Sequence, residues 1–83
     1  EFDGAVESFT LALALRPTDD SLYAHRANSY IGLRNAQSAI NDLTSAIELA
    51  PEKGEYFFRR SRLYEALSIL DVRRAEELGF TAP

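Results

Sequence analysis

The chain has 83 residues, of which 46% are hydrophobic, and it carries a net charge of −4. This length allows one small domain or part of a larger one, and the apolar share is typical of a folded chain. The sequence has no cysteine, which excludes disulfides and thiolate metal sites. The negative charge argues against nucleic acid as a partner. We find no signal-peptide pattern and no apolar run near the ~20 residues of a membrane span, so we expect a cytoplasmic fragment without membrane contact.

The sequence predicts helices separated by short turns, and the first helix covers about residues 3–15. Apolar side chains recur there every three or four residues, which is the spacing of one face of an α-helix, and Pro17 ends the helix. The same spacing predicts an antiparallel helix pair over residues 20–33 and 37–50, which ends at Pro51. No stretch alternates apolar and polar residues as a half-buried strand would, so we expect an all-α fold.

Residues 55–78 are predicted to form one continuous helix, because no glycine, proline or asparagine marks a turn in this segment. A new helix beginning at Asp71 would place Arg73 and Arg74 at its positive end, against the helix dipole. Gly79 follows as a left-handed cap. One long helix cannot fold back on itself, so its distal apolar residues would be exposed unless another molecule covers them. These residues are Ile69, Val72, Ala75 and Leu78.

The chain repeats itself at an interval of 34 residues. A period of this size indicates a stacked-repeat architecture, in which one helix pair cannot bury its apolar face alone. A shift of 29 residues aligns 38–49 with 67–78 at five identical positions, so the last repeat lacks five residues between its two helices. The identical pairs at the 34-residue interval are Ala5/Ala39, Thr10/Thr44, Ala12/Ala46, Leu15/Leu49, Pro17/Pro51, Arg26/Arg60, Tyr30/Tyr64 and Leu33/Leu67.

These features resemble the tetratricopeptide repeat (TPR) family, whose repeat is a 34-residue helix pair with small residues where helices cross. The resemblance implies a solenoid of antiparallel helix pairs over residues 1–83, about two and a half repeats in length. Its parts would be the second helix of repeat one at 3–16, repeat two at 20–50, and a shortened repeat three at 54–79. Arg26 stands where the family usually has leucine, and we expect Arg26 and Arg60 to lie along neighbouring aromatic rings as structural residues. The family signature falls on Tyr23, Ala27, Tyr30, Ala39, Leu43, Ala46 and Pro51.

The first helix of each repeat lines the concave surface of such a solenoid. His25 and Asn28 lie on that side of repeat two, and Arg59 and Arg62 occupy the equivalent positions of repeat three, with Phe58 beside them. All except Phe58 carry hydrogen-bond donors, and a carboxylate is the ligand that such donors bind. The sequence therefore predicts a non-catalytic protein–protein interaction scaffold that docks an acidic peptide in this groove. The alternative is that the two arginines are incidental charges on a solvated face.

One class within the family clamps the C-terminal carboxylate of acidic peptides such as chaperone tails. The arginine of that clamp falls on Arg59, which matches, and its asparagine falls on His25, which is also a donor. One of its lysines falls on Glu55, which reverses the charge. The other clamp residues lie on the first helix of repeat one, outside this sequence. The resemblance thus implies a protein partner with an acidic segment or a C-terminal carboxylate, but not a full clamp.

Catalysis finds no support in the sequence, which has one histidine, no cysteine and no phosphate-binding glycine loop. No group of histidine and acidic residues has metal-ligand spacing, so we expect neither a metal nor another cofactor. The competing function is structural: an oligomerisation module that assembles by exchanging helices at its incomplete repeats, giving a homo-oligomer. The expected contacts are Val6, Phe9 and Leu13 on the first helix, and Ile69, Val72, Ala75 and Leu78 on the last.

Overall fold

The computed structural model describes residues 1–80, and they form four α-helices. No strand occurs within this range, which confirms the all-α prediction. None of these helices is at once long and apolar enough to cross a membrane. The helices are α1 (Phe2–Leu15), α2 (Asp20–Gly32), α3 (Ala36–Leu49) and α4 (Gly54–Glu77).

Side chains next to the helices fix where α2 and α3 begin. The Asp19 carboxylate accepts from the Ser21 backbone N–H at 3.1 Å, and the Asn35 side chain accepts from the Ser38 N–H at 3.2 Å. Each satisfies a donor that the first helical turn would otherwise leave unpaired. Between the two helices Arg34 adopts a left-handed conformation, with φ at 61°. This turn brings the Asn35 N–H back to the Tyr30 carbonyl at 2.8 Å.

Small side chains at the crossing of α2 and α3 form the centre of the core. Ala27, Ala39 and Ala46 are fully buried, as is Leu43 beside them. Because alanine lets two helix backbones approach closely, a larger side chain at these positions would overpack the contact. The stacking of helices on this core confirms the predicted architecture of packed helix pairs.

The first helix packs against α2, and this contact buries more of its apolar side chains than the sequence suggested. Leu13 is buried, while Val6 and Phe9 are half-buried. Leu13 was expected to contact a second molecule, and in this structure its own chain already buries it. Val6 and Phe9 keep part of their apolar surface free.

Helix α4 runs unbroken through 24 residues, as predicted. At its end Gly79 takes φ at 89°, and the Phe80 N–H bonds to the Ala75 carbonyl at 2.9 Å, which closes the predicted left-handed cap. The first half of α4 packs against α3 and buries Tyr56. In the second half Ile69, Val72 and Leu78 are exposed as expected. Ala75 differs, since it is half-buried where the capping turn returns to it.

Candidate functional site

Arg26 on α2 links three helices, because its side chain bonds to α1 and to α3. Its guanidinium donates two hydrogen bonds to the Asp42 carboxylate, at 2.9 and 2.7 Å, and one to the Thr10 hydroxyl at 3.1 Å. It also lies over the rings of Tyr23 and Tyr30, at 5.7 and 5.9 Å from their centroids. Donation of these hydrogen bonds to the Asp42 carboxylate raises the pKa of Arg26 above its ordinary value. The predicted packing of Arg26 on aromatic rings is confirmed, and its charge is neutralised within the chain.

Arg60 in α4 makes the same kinds of contact as Arg26, except that it has no carboxylate partner within residues 1–80. Its guanidinium donates to the Thr44 hydroxyl at 3.0 Å and lies over the rings of Phe57 and Tyr64, at 5.7 and 6.0 Å. The predicted ring packing is therefore confirmed here as well. No carboxylate within residues 1–80 forms an ion pair with Arg60.

Two of the predicted groove residues, Arg59 on α4 and Asn28 on α2, contact each other. Arg59 reaches across from α4, and one of its terminal nitrogens donates to the side-chain oxygen of Asn28 and to the Ala24 carbonyl, the latter at 3.3 Å. Arg59 is half-buried by this contact, while Asn28 remains exposed. The structure therefore brings together one predicted residue from each repeat.

The other predicted residues extend the surface in both directions. The Arg62 guanidinium lies 5.8 Å from the centroid of the Phe58 ring, and 62% of Phe58 is exposed. His25 is exposed on α2, and its ring stacks on Phe9 of α1 with 5.6 Å between centroids and 20° between planes. Phe9 was expected to contact another molecule, yet part of its surface here supports His25.

An ionic contact at the start of α2 and α4 fixes the edge of this surface. The Asp20 carboxylate accepts from the Tyr56 hydroxyl at 2.7 Å and from the Lys53 ammonium at 2.9 Å. These two donors hold the pKa of Asp20 below its usual range, whereas burial and the bond to Asp20 raise the pKa of Tyr56. Sequence reasoning missed this contact, because its members lie 33 and 36 residues apart with no motif linking them.

The residues that the structure describes contain no group of three or more histidine, cysteine or acidic side chains that could hold a metal ion. The donors of the groove are instead suited to an anion. Arg62 makes no ion pair among residues 1–80, nor does Arg59. Guanidinium groups in this state can bind a carboxylate with two parallel hydrogen bonds.

Comparison with known proteins identifies relatives over most of the chain. A "Protein SGT1 homolog" of Oryza sativa subsp. japonica is 33% identical over 82 residues, or 98% of this chain and 22% of that protein. A "DnaJ homolog subfamily C member 7 homolog" of Dictyostelium discoideum is 35% identical over 65 residues, which are 74% of this chain and 12% of that protein. An "Hsp70-Hsp90 organizing protein 2" of Arabidopsis thaliana is 33% identical over 55 residues, which are 66% of this chain and 10% of that protein.

The chain thus spans between 10% and 22% of the length of these relatives. No protein-family model and no solved structure matches it. The relatives are proteins that contain tetratricopeptide repeats. Their similarity agrees with the 34-residue period of the sequence and with the stacked helix pairs of the structure. The chain belongs to the tetratricopeptide repeat family.

Proposed function

We propose that the chain is a non-catalytic protein–protein interaction module whose concave surface docks an acidic peptide. The observation that carries this proposal is the pair of arginines on α4, Arg59 and Arg62, which have no carboxylate partner within residues 1–80. They stand on a chain whose net charge is −4. A local positive surface on an acidic protein attracts acidic partners and repels basic ones.

Arg59 is held in position for a ligand. A guanidinium has five N–H donors, and within residues 1–80 only one terminal nitrogen of Arg59 donates a hydrogen bond, to Asn28 and Ala24. The remaining donors keep a fixed direction because the side chain is anchored to α2. Anchoring reduces the conformational entropy that binding would otherwise cost.

Arg62 and Phe58 give the surface an apolar component. The stacked pair presents an exposed aromatic ring next to a positive charge. A peptide with a hydrophobic side chain beside an acidic one would contact both groups at once. His25 supplies a further polar contact on α2, supported from behind by Phe9.

The kind of peptide that would bind is suggested by a relative of the chain and by the residue at position 55. A chaperone tail that ends in acidic residues and a free carboxylate is a candidate, since one relative is an "Hsp70-Hsp90 organizing protein 2". Glu55 is exposed near the start of α4, where the carboxylate-clamp class has a lysine. We therefore propose that the acidic segment of the peptide contributes more to affinity than its terminal carboxylate.

Isothermal titration with an acidic-tailed peptide tests this function. Arg59→Ala combined with Arg62→Ala should weaken binding about tenfold or more and flatten its salt dependence, because charge-assisted hydrogen bonds are lost. Arg16→Ala combined with Arg74→Ala removes the same charge elsewhere and should change affinity less than about threefold. Equal affinity for the peptide in both double variants would refute the groove assignment. A second titration with the peptide amidated at its C-terminus should show a loss of less than about threefold.

Assembly with other copies of the chain is the second candidate function. It is supported by the exposed apolar residues in the distal half of α4, which include Ile69, Val72 and Leu78. Large exposed apolar patches mark interaction surfaces more often than chance placement would. This function does not exclude peptide docking, because the two use different residues.

A further inference from the structure

Helix α4 has a second exposed surface, on the side opposite Arg59 and Arg62. Successive residues turn by about 100° around a helix axis, so Phe57, Tyr64 and Val72 fall on one side of α4. Each of these residues is between 44% and 57% exposed. Arg60 and Asp71 lie on the same side. We call it the pairing face, and its residues are Phe57, Arg60, Tyr64, Asp71 and Val72.

In repeat two a second helix covers the aromatic residues that are equivalent to those in the first half of the pairing face. Tyr23 and Tyr30 are the equivalents of Phe57 and Tyr64 at the 34-residue interval, and both are partly buried against the core. Helix α3 follows α2 directly and packs along it. In the last repeat the segment equivalent to α3 continues straight on as the second half of α4, so it leaves the aromatic rings uncovered.

The ion pair of repeat two indicates which acidic residue is the equivalent partner of Arg60. Arg26 is held by Asp42, and the 29-residue shift makes Asp71 the equivalent of Asp42. Asp71 is exposed, and it lies eleven residues along the same helix from Arg60, a distance of about 16 Å at 1.5 Å per residue. The two side chains cannot meet within one straight helix. Among residues 1–80 neither of them forms an ion pair, and each has the charge that would pair with the other.

The positions of these two residues define a symmetric register. Helix α4 spans Gly54–Glu77, so its midpoint falls between Glu65 and Ala66. Arg60 and Asp71 are equally far from that midpoint. If two copies of α4 lie antiparallel with their midpoints together, a two-fold axis relates them, and each Arg60 faces the Asp71 of the other copy. The alignment that pairs Arg60 with Asp71, as Arg26 pairs with Asp42 in repeat two, is therefore also the alignment in which the two α4 helices overlap along their whole length.

We propose that two copies of this chain form a symmetric dimer through antiparallel α4 helices, with an Arg60–Asp71 ion pair at each end of the contact. The second half of each α4 takes the position on the other copy that α3 takes along α2. It covers the rings of Phe57 and Tyr64 there and buries Val72. The groove side of α4 stays free, so dimer formation and peptide docking can fail or succeed independently.

Charge exchange tests the pairing. The dimer dissociation constant, measured by sedimentation equilibrium over the micromolar range, should rise about tenfold or more in Arg60→Asp, where two aspartates face each other. Asp71→Arg should do the same with two arginines. The variant carrying both changes restores opposite charges and should return to within about threefold of the original value. Arg73→Asp lies on the opposite side of α4 from Tyr64 and serves as the control, with less than about a twofold change.

Crosslinking provides a second readout that does not depend on these charge variants folding. The chain has no cysteine, so a single introduced thiol can crosslink only between copies. Ser68 is exposed and lies about 4 Å along the axis from the midpoint, which puts its two copies about 8 Å apart along the pair. Ser68→Cys should therefore crosslink with a short bismaleimide, while Ser8→Cys on α1 should not.

Three results would overturn the dimer. They are a single-chain mass throughout the micromolar range, a dimer whose dissociation constant ignores both charge reversals, and Ser68→Cys chains that crosslink no better than Ser8→Cys chains. Any of them would leave the pairing face to a different protein, or to sequence outside these 83 residues.

Discussion

At the residue scale, Arg26 and Asp42 make the best-defined long-range contact in the molecule. Only 6% of the Asp42 side chain and 19% of the Arg26 side chain are exposed. The two-bond geometry satisfies both carboxylate oxygens, and no buried side-chain nitrogen or oxygen within residues 1–80 lacks a partner. Such a pair stabilises the fold mainly because removing one member leaves the other charge buried and unpaired.

We therefore expect Asp42→Ala to lower the free energy of unfolding by about 3 kcal/mol. Replacing both partners, as Arg26→Leu with Asp42→Leu, should cost less than Asp42→Ala alone, since no unpaired charge remains. Urea unfolding followed by circular dichroism measures both changes. Glu48→Ala on the exposed side of α3 is the control and should shift stability by less than about 0.5 kcal/mol. A loss no larger in Asp42→Ala than in the control would contradict this interpretation.

Arg34 has a backbone conformation that is unfavourable for an arginine. Its φ of 61° lies in the left-handed region, which side chains other than glycine and asparagine rarely occupy. Arg34→Gly should raise the free energy of unfolding by about 1 kcal/mol, because the steric cost of the side chain disappears. Thermal unfolding detects this as a higher Tm. An unchanged or lower Tm would mean that the arginine compensates for the strain.

The contact of Asp20 with Tyr56 should make stability depend on pH at both extremes. The pKa of Asp20 is lowered by its donors, so its contribution is complete above about pH 4 and is lost as the pH falls further. The pKa of Tyr56 is raised by burial, so its contribution is complete below about pH 10 and is lost as the pH rises beyond that value.

Tyr56→Phe removes the shared hydrogen bond and isolates this effect. The difference in Tm between the two proteins should be largest between about pH 5 and pH 9 and should shrink towards either extreme. The rest of the sequence is identical in the two proteins, so its contributions cancel in the difference. A difference that stays constant from acid to alkaline pH would show that the bond between Tyr56 and Asp20 contributes nothing.

At the scale of elements, the unbroken α4 is the feature that sets this chain apart from a regular repeat. Repeat two turns between its helices at residues 33–35, where Arg34 is left-handed and Asn35 starts the next helix. The last repeat lacks the equivalent five residues, and neither glycine nor asparagine occurs between Glu55 and Leu78. A helix continues wherever no residue favours leaving it.

Restoring a turn should restore the fold-back. Insertion of Arg-Asn-Gly-Asp-Ser after Leu67 supplies a left-handed position and a new N-cap, so the second half of α4 should return along the first. Light scattering should then give the mass of one chain, whereas we expect the original protein to give the mass of two. Insertion of five alanines is the matched control and should leave the helix continuous. A dimer that survives the turn insertion would contradict the role assigned to the long helix.

The sequence predicted helices better than it predicted contacts. Periodicity and the missing turn residues located all four helices, including α4, because these signals are local. The groove residues could be grouped by their equivalent positions in two repeats, but the bond between Arg59 and Asn28 could not, since it depends on the distance between stacked helices. Asp42 was missed as the partner of Arg26 for the same reason. The burial of Leu13 was not predicted, because it depends on how α1 packs on α2, which no local pattern specifies.

At the scale of the whole molecule, α4 carries residues of both proposed interaction surfaces. Its groove side combines Arg59 and Arg62 with donors from α2, and its pairing face combines Arg60 and Asp71 with exposed aromatic rings. The chain has thirteen acidic and nine basic residues. If the proposed groove docks an acidic peptide, the positive charges of Arg59 and Arg62 attract that peptide, and high salt should weaken the attraction.

Amide chemical shifts, followed by NMR during titration with an acidic-tailed peptide, test the peptide-docking surface most directly. The largest changes should cluster on α2 at His25 and Asn28 and on α4 between Phe58 and Arg62, and all should saturate along one binding curve. A matched basic peptide should produce no such changes. Changes confined to the outer side of α3, around Asn41, or no saturable change with the acidic peptide at all, would contradict the proposal that this groove binds acidic partners.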